Sequence, residues 1–295
     1  MATSGGIARG EYVRPGLQAM LSKACTSNVL LLTFEYMKGS RTNVTSIASA
    51  CSCHDSLGIA SVSCPDNVLT QLHKVSVATL FQVLQRLGFY HTYLTGVSPR
   101  TSAQRFVGRA FTMRCLPARE DVMSAQTPET SLHRRAFETI NPGQVLVIDA
   151  RGELSAGVLG DVLATRLVAR GGVAVVTDGA VRDLPAMQEV GLPLFARGVH
   201  TASFGRVHVV TDLNIPVQCA GVLIMPGDVL VGDPEGVVAI PQAVAAQAAE
   251  AGLEQELRDT FSRTQVAAGA SLSEAFPPNE RLRAEYEAWR TQQGT

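Results

Sequence analysis

The stretch GQVLVIDARGELSAGVLGDVLATRLVARGGVAVVTDGAVRD, residues 143–183, decides the fold. Its apolar runs at 144–149 and 173–176 predict two buried strands. From Gly160 onward apolar residues recur at spacings of three and four, and a Gly pair at 171–172 ends the run, which predicts a helix between the strands. Strand, helix and strand within about 30 residues is the length of a parallel βαβ unit. We therefore expect an α/β fold.

The flanking sequence predicts further elements. Ser76 suits the N-cap of a helix whose apolar residues line one face until Gly88. Residues 106–115 alternate between apolar and polar side chains, as a half-buried strand does. Beyond the central unit we predict a short helix at 184–190, strands near 193–197, 206–211, 221–225, 228–232 and 236–240, and helices within 242–263 and 278–290.

The pattern divides the chain into three regions, 1–64, 65–242 and 243–295. The first is rich in Ser, Thr and Gly without sustained periodicity, and we expect a poorly ordered N-terminal extension there. The second holds the α/β core. The third is a C-terminal helical segment that caps the core or packs against another subunit.

Composition narrows the class of partner. The 295 residues carry 25 basic and 26 acidic side chains and no basic run, which argues against nucleic acid. Apolar runs fall short of the roughly 20 residues that span a bilayer, so we expect no membrane partner. A secretory signal pattern is absent from the first 20 residues, which favours a cytoplasmic protein. The basic excess before residue 53 weakly resembles a transit peptide, so organellar targeting stays open.

Arg182 and Asp183 follow the second buried strand, where neighbouring side chains of opposite charge cannot easily pair with each other. A guanidinium matches a ligand carboxylate in bidentate fashion, whereas the adjacent Asp would repel that ligand unless a cation intervened. If Asp183 holds Mg²⁺ or Mn²⁺, the ion can bind the keto oxygen of a 2-oxo acid while Arg182 takes its carboxylate. The alternative is a structural salt-bridge network. Asp178 is interpreted as a turn residue beside Gly179.

The second half of the predicted site is the start of the central helix. Because Gly160 opens this helix, the amides of Gly160, Asp161, Val162 and Leu163 can point outward as an anion cradle. Both halves follow neighbouring strands of the predicted sheet. We therefore expect them to form one ligand site at the carboxyl ends of those strands.

Four segments carry a family resemblance. They are GVLGDVLATRLVARGGVAVVTDGAVRDLPAMQEVGLPLFARG at 157–198, RFVGRAFTMRC at 105–115, GQVLVIDARG at 143–152 and PGDVLVGDPEGVVAIP at 226–241. Together they closely resemble the family of the regulator of ribonuclease activity A and the class II 4-hydroxy-4-methyl-2-oxoglutarate aldolases, also described as dimethylmenaquinone methyltransferase-like. The resemblance implies a swivelling β/β/α sandwich, with C-terminal helices added here. It also implies a homotrimer or a dimer of trimers with sites at subunit interfaces.

Carried over by position, the resemblance implies that Gly160, Asp161, Val162 and Leu163 line the substrate. Arg182 would bind the substrate carboxylate, and Asp183 would ligate the divalent metal, Mg²⁺ or Mn²⁺. The implied function is that of a carbon–carbon lyase on short 2-oxo acids. It would cleave 4-hydroxy-4-methyl-2-oxoglutarate to pyruvate, or decarboxylate oxaloacetate, through one metal-bound pyruvate enolate. The alternatives are a non-catalytic regulator that binds a ribonuclease and a sugar-acid lyase or dehydratase.

One departure from the aldolase pattern bears on the chemistry. In that pattern an acid follows Arg-Asp after two residues, whereas here the position is Ala186, and Glu189 is the nearest carboxylate. Aldol cleavage needs a base for the substrate hydroxyl, either a metal-bound water or an acid from the adjacent subunit. Asp161, Glu235 and the Glu120–Asp121 pair are all candidates for that acid, and none is favoured. The scattered histidines are interpreted as surface or internally satisfied residues rather than metal ligands.

Overall fold

The computed structural model describes residues 64–102 and 105–292. The predicted extension over 1–64 lies, apart from Cys64, outside the described residues. The strands are β1 (Ser98–Pro99), β2 (Phe106–Pro117), β3 (Gln144–Asp149), β4 (Ala174–Val181), β5 (Leu194–Val199), β6 (His208–Leu213), β7 (Val217–Cys219), β8 (Val222–Ile224), β9 (Val229–Asp233) and β10 (Gly236–Ile240). The helices are α1 (Asp66–Leu72), α2 (Val77–Arg86), α3 (Glu120–Ser124), α4 (Leu132–Thr139), α5 (Asp161–Ala169), α6 (Leu184–Val190), α7 (Ala245–Ala267), α8 (Leu272–Ala275) and α9 (Glu280–Gln292).

The main sheet runs in the order β1-β5-β4-β3-β2-β9-β10, with β6 paired to the far half of β2. The pairs β2–β3, β3–β4 and β4–β5 are parallel, and β9 and β10 join antiparallel. Tyr93 bridges to Val238 of β10, and only a few residues later Ser98 pairs with β5 at the opposite end of the order. The sheet is therefore nearly closed, like a barrel. The predicted α/β class with C-terminal helices is confirmed.

The central strands read as continuous apolar runs because both of their faces are covered. Every residue of β4 is buried, as are all but the first of β3. On one face, α4, α5 and α6 contribute Phe137, Leu167 and Met187 to a core with Ile148. On the other, side chains of facing strands meet, including the edge-to-face pair of Phe106 and Phe195.

The predicted βαβ unit is present as β3, α5 and β4, but β4 is longer than the predicted 173–176. It continues through the Thr-Asp-Gly sequence as far as Val181. The interpretation of Asp178 as a turn residue is therefore wrong. Its side chain is 1% exposed and accepts hydrogen bonds from the amides of Ala150 at 2.7 Å and Gly152 at 2.9 Å. Two hydrogen bonds from the loop after β3 thus outweigh the turn preference of Asp-Gly.

The helix from Ser76 is confirmed, since the Ser76 hydroxyl accepts from the amide of Thr79. The C-terminal helices also form, and the first half of α7 packs on α1 and α2. No local pattern in the sequence predicts α4, which contributes residues to the site. Within the described residues no helix combines the length and apolar character needed to cross a bilayer.

Candidate active site

A cavity of about 500 Å³ lies at the carboxyl ends of β3 and β4. Its walls include all six predicted site residues: Gly160, Asp161, Val162, Leu163, Arg182 and Asp183. Residues from α4 and from the 3₁₀ turn Phe204–Arg206 complete it. The structure therefore brings the two halves of the predicted site together, while the roles assigned to the residues stay predictions.

Two glycines allow the Arg-Asp pair to reach the helix start. A Cβ on Gly157 would lie 2.8 Å from Arg182 Cγ, and one on Gly160 would lie 2.3 Å from Asp183 Oδ2. Both distances are shorter than real Cβ contacts, so a larger residue at either position must push the pair away. Gly157 and Gly160 are therefore in direct contact with the Arg-Asp pair, which accounts for their spacing in the sequence.

The amino terminus of α5 has no side-chain cap, because its N-cap is Gly160. The first backbone bond of the helix joins Ala164 N to Gly160 O at 3.1 Å. The predicted cradle of four free amides is only partly right, since the amide of Val162 donates to Asp161 Oδ1 at 2.8 Å. The amides of Asp161 and Leu163 have no acceptor in the described part of the chain. They remain available to an anion, together with the helix dipole.

Asp183 has an unusual backbone conformation. Its φ is +57° and its ψ 35°, the left-handed region that non-glycine residues other than Asn and Asp rarely adopt. Although it occupies the N-cap of α6, its side chain forms no capping bond. The carboxylate instead accepts from Arg182 Nε at 2.8 Å. The expectation that these neighbours could not pair is therefore wrong, because the left-handed turn folds one side chain back on the other.

The guanidinium retains most of its donors despite this ion pair. Both side chains are about one-third exposed, at 37% for Arg182 and 33% for Asp183. The contact uses Nε, and no hydrogen bond from either Nη atom reaches an acceptor among the described residues. The Nη edge can therefore face a ligand carboxylate while Nε stays on Asp183.

His133 also lies in the cavity, and nothing in its sequence context indicated this. Its Nε2 is 2.9 Å from the carbonyl oxygen of Val158, so Nε2 carries the proton and donates it. The ring stacks on Phe204 with centroids 3.9 Å apart. Burial lowers its pKa from 6.5 to about 4, which keeps the imidazole neutral at neutral pH. The interpretation of His133 as internally satisfied fits these contacts.

The candidate bases differ in where they lie relative to the cavity. Asp161 lines the cavity, whereas Glu235 lies at the turn between β9 and β10, where its carbonyl accepts from Tyr93. In α3, Asp121 pairs with Arg119 on the surface. Neither Ala186 nor Glu189 of α6 lines the cavity. Asp161 and Asp183 are therefore the cavity carboxylates among the described residues.

The donor set tests which metal the site could hold. Among the described residues no three His, Cys, Asp or Glu side chains cluster as a ligand set, so a dehydrated site with several protein ligands does not fit. Mg²⁺ is commonly bound through one or two carboxylates and keeps several waters. Asp183 lines the cavity together with Asp161, a second, partly exposed carboxylate. Asp183 therefore fits this kind of ion.

Comparison with known proteins shows the family to which the chain belongs. The family model RraA-like, described as Aldolase/RraA, matches residues 72–239, more than half of the chain. The chain therefore belongs to the RraA-like family. The resemblance noted in the sequence is thus confirmed.

Individual relatives cover parts of the chain. A protein of Halalkalibacterium halodurans is 37% identical over 108 residues, which are 37% of this chain and 51% of the relative. The 4-hydroxy-4-methyl-2-oxoglutarate aldolase of Thermus thermophilus is 30% identical over 141 residues, 47% of this chain and 77% of that protein. The chain thus spans about half of the first relative's length.

A solved structure matches more of the fold. Streptomyces coelicolor RraAS2, described as an unusual member of the RNase ES inhibitor RraA protein family, is 30% identical with a TM-score of 0.62. The match covers 69% of this chain and 99% of that one.

Proposed function

We propose that this protein is a divalent-metal-dependent lyase on short 2-oxo acids, acting as a 4-hydroxy-4-methyl-2-oxoglutarate-type aldolase, an oxaloacetate decarboxylase, or both. The observation that carries the proposal is the meeting of the Arg182–Asp183 pair with the uncapped start of α5 in one cavity. The name of the Thermus thermophilus relative supports the same reaction class.

Each residue has a role that its contacts allow. The Nη edge of Arg182 binds the carboxylate next to the keto group, and the amides of Asp161 and Leu163 hold a further oxygen of the substrate. Asp183 would hold Mg²⁺ or Mn²⁺ through one carboxylate. When bound, such an ion polarises a keto oxygen and stabilises the negative charge that develops there.

The two reactions place different demands on the chain. In aldol cleavage the substrate hydroxyl loses a proton and becomes a carbonyl as the carbon–carbon bond breaks, and the electron pair of that bond goes to pyruvate, which forms as its enolate. Asp161 is the base proposed for that proton, since it lines the cavity beside Asp183. Decarboxylation releases carbon dioxide and needs no base. With Ala186 at the position of the family's acid, we expect decarboxylation to be the faster activity.

The test is pyruvate release from oxaloacetate and from 4-hydroxy-4-methyl-2-oxoglutarate, with Mg²⁺, Mn²⁺ or a chelator, corrected for metal without protein. Asp183→Asn should lower metal-dependent turnover by about 10²-fold or more, because one electrostatic stabiliser of the developing charge is lost. Glu189→Gln, on the same helix but outside the cavity, is the matched control. Absence of turnover from both substrates would rule the proposal out.

The assembly is part of the proposal. We infer a homotrimer or a dimer of trimers, which is the assembly that the family resemblance implies. Light scattering on the eluted protein should give a mass of three or six 31.3 kDa chains. A monomer would contradict this.

A second candidate rests on the Streptomyces coelicolor structure, whose description names an RNase ES inhibitor family. On that basis the protein would bind a ribonuclease without catalysis. A stoichiometric complex with a purified ribonuclease E-type enzyme, together with no turnover of either 2-oxo acid, would favour this function over the lyase.

A further inference from the structure

Arg134 is a second guanidinium in the wall of the cavity. It lies in the first turn of α4, where its amide donates to the Ser131 hydroxyl at 3.4 Å. Its side chain lines the cavity that also contains Arg182 and Asp183. The cavity therefore has cationic groups on two different elements, α4 and the end of β4.

No carboxylate in the described part of the chain forms an ion pair with Arg134, although Arg134 acts at longer range on Glu129, whose pKa is lowered chiefly by its hydrogen bond to Thr127. Arg166, which faces α4 from α5, is by contrast held by Glu138. Arg134 also contributes to the lowered pKa of the neighbouring His133, after the larger effect of burial. Its positive potential therefore reaches into the cavity.

The charges of the lining residues indicate the charge of the ligand that the cavity binds best. Arg134 and Arg182 contribute two positive charges, and Asp161 and Asp183 contribute two negative ones. With a divalent ion on Asp183, as the proposed function requires, the lining has a net charge of about +2, which a dianion neutralises. A substrate with one carboxylate would leave one positive charge unmatched.

We propose that Arg134 is a specificity-determining residue that binds the distal carboxylate of a dicarboxylic 2-oxo acid. Arg182 and the start of α5 would hold the end with the keto group, and Arg134 the other end. This inference rests on the proposed function, because it assigns the keto end to Arg182. It explains why an arginine that has no ion pair among the described residues lines the cavity from an element outside the βαβ unit.

The test uses two unreactive ligands that differ only at the distal end, 2-oxoglutarate and 2-oxopentanoate. Their affinities for the full chain are measured by calorimetry with Mg²⁺ present. The unaltered protein should bind 2-oxoglutarate more tightly by about 10- to 100-fold, the range of one charge-assisted hydrogen-bonding contact. Arg134→Gln should remove that preference by weakening 2-oxoglutarate alone, and Arg134→Lys should restore part of it.

Arg135 gives the matched control, since it follows directly on α4, is exposed and does not line the cavity. Arg135→Gln should leave both affinities unchanged. If Arg134→Gln retains the preference for 2-oxoglutarate while oxaloacetate is still turned over, the assignment of Arg134 is wrong and the proposed function stands. If the unaltered protein binds neither ligand and turns over neither substrate, both fail.

Discussion

At the scale of single residues, the contact between Gly160 and Asp183 is the tightest constraint in the cavity. Gly160→Ala places a Cβ where Asp183 Oδ2 now lies, 2.3 Å away, and so displaces that carboxylate. We expect turnover to fall by about 10²-fold, as displacing a positioned catalytic group by about 1 Å can do. The fold should survive, because Gly160 has an extended φ of −130° that alanine adopts freely.

The control for this variant is Gly198→Ala on β5, whose Cβ would meet the exposed side chain of Leu154 at 3.2 Å. Kinetics with oxaloacetate and thermal unfolding of both variants check the prediction. Equal turnover in the two would show that Asp183 does not need its present position.

A single residue, His133, should make the stability of the protein depend on pH. Its folded pKa, about 4, lies below the ordinary 6.5, so the unfolded chain binds the proton more readily between these values. Stability should therefore be lost as the pH falls from 6.5 towards 4. His133→Gln keeps an N–H donor for Val158 and removes the titration. Its free energy of unfolding should therefore lie below that of the unaltered protein by a difference that shrinks by about 2 kcal/mol from pH 7.5 to pH 5. Urea unfolding at the two pH values measures this, and a constant deficit would contradict it.

At the scale of elements, Asp178 of β4 holds the loop that comes after β3. Its carboxylate accepts from Ala150 N and Gly152 N, and burial raises its pKa. Asp178→Ala leaves these amides without their acceptor in a buried place, which should cost about 2–4 kcal/mol of the free energy of unfolding. Asp178→Asn keeps one acceptor oxygen and should cost less. Chemical denaturation of both variants is the measurement, and equal losses would assign the effect to packing.

The same element shows what the sequence could and could not predict. Periodicity found β3, α5 and β4, because each buries a continuous or one-sided apolar pattern. It ended β4 too early, since the partners of Asp178 lie 26 and 28 residues away along the chain. The position of Arg134 and His133 in the cavity was equally hidden. It depends on how α4 packs against α5, which no local pattern records.

At the scale of the whole molecule, two separate apolar clusters hold the C-terminal helices. The first half of α7 belongs to the core with α1, α2, β9 and β10, where Gly252 lies against Val75 and Glu256 accepts from Ser76 N at 2.9 Å. The second half of α7 meets α8 and α9 in a small cluster around Phe261, Leu282 and Tyr286. The helical segment thus has an inner part shared with the core and an outer part that mainly contacts itself.

This division predicts different results for two truncations. A chain ending at Gly269 loses α8 and α9 but keeps the inner cluster and the cavity, so its melting temperature should fall by only about 5 °C and turnover should persist. A chain ending at Pro241 also loses Ala245, Ala248 and Ala249 and uncovers apolar side chains of α1 and α2. The free energy lost with that much buried apolar surface exceeds the net free energy of unfolding of a typical domain. Circular dichroism should therefore show cooperative unfolding for the first chain and none for the second, and a cooperative transition in both would place α7 outside the core.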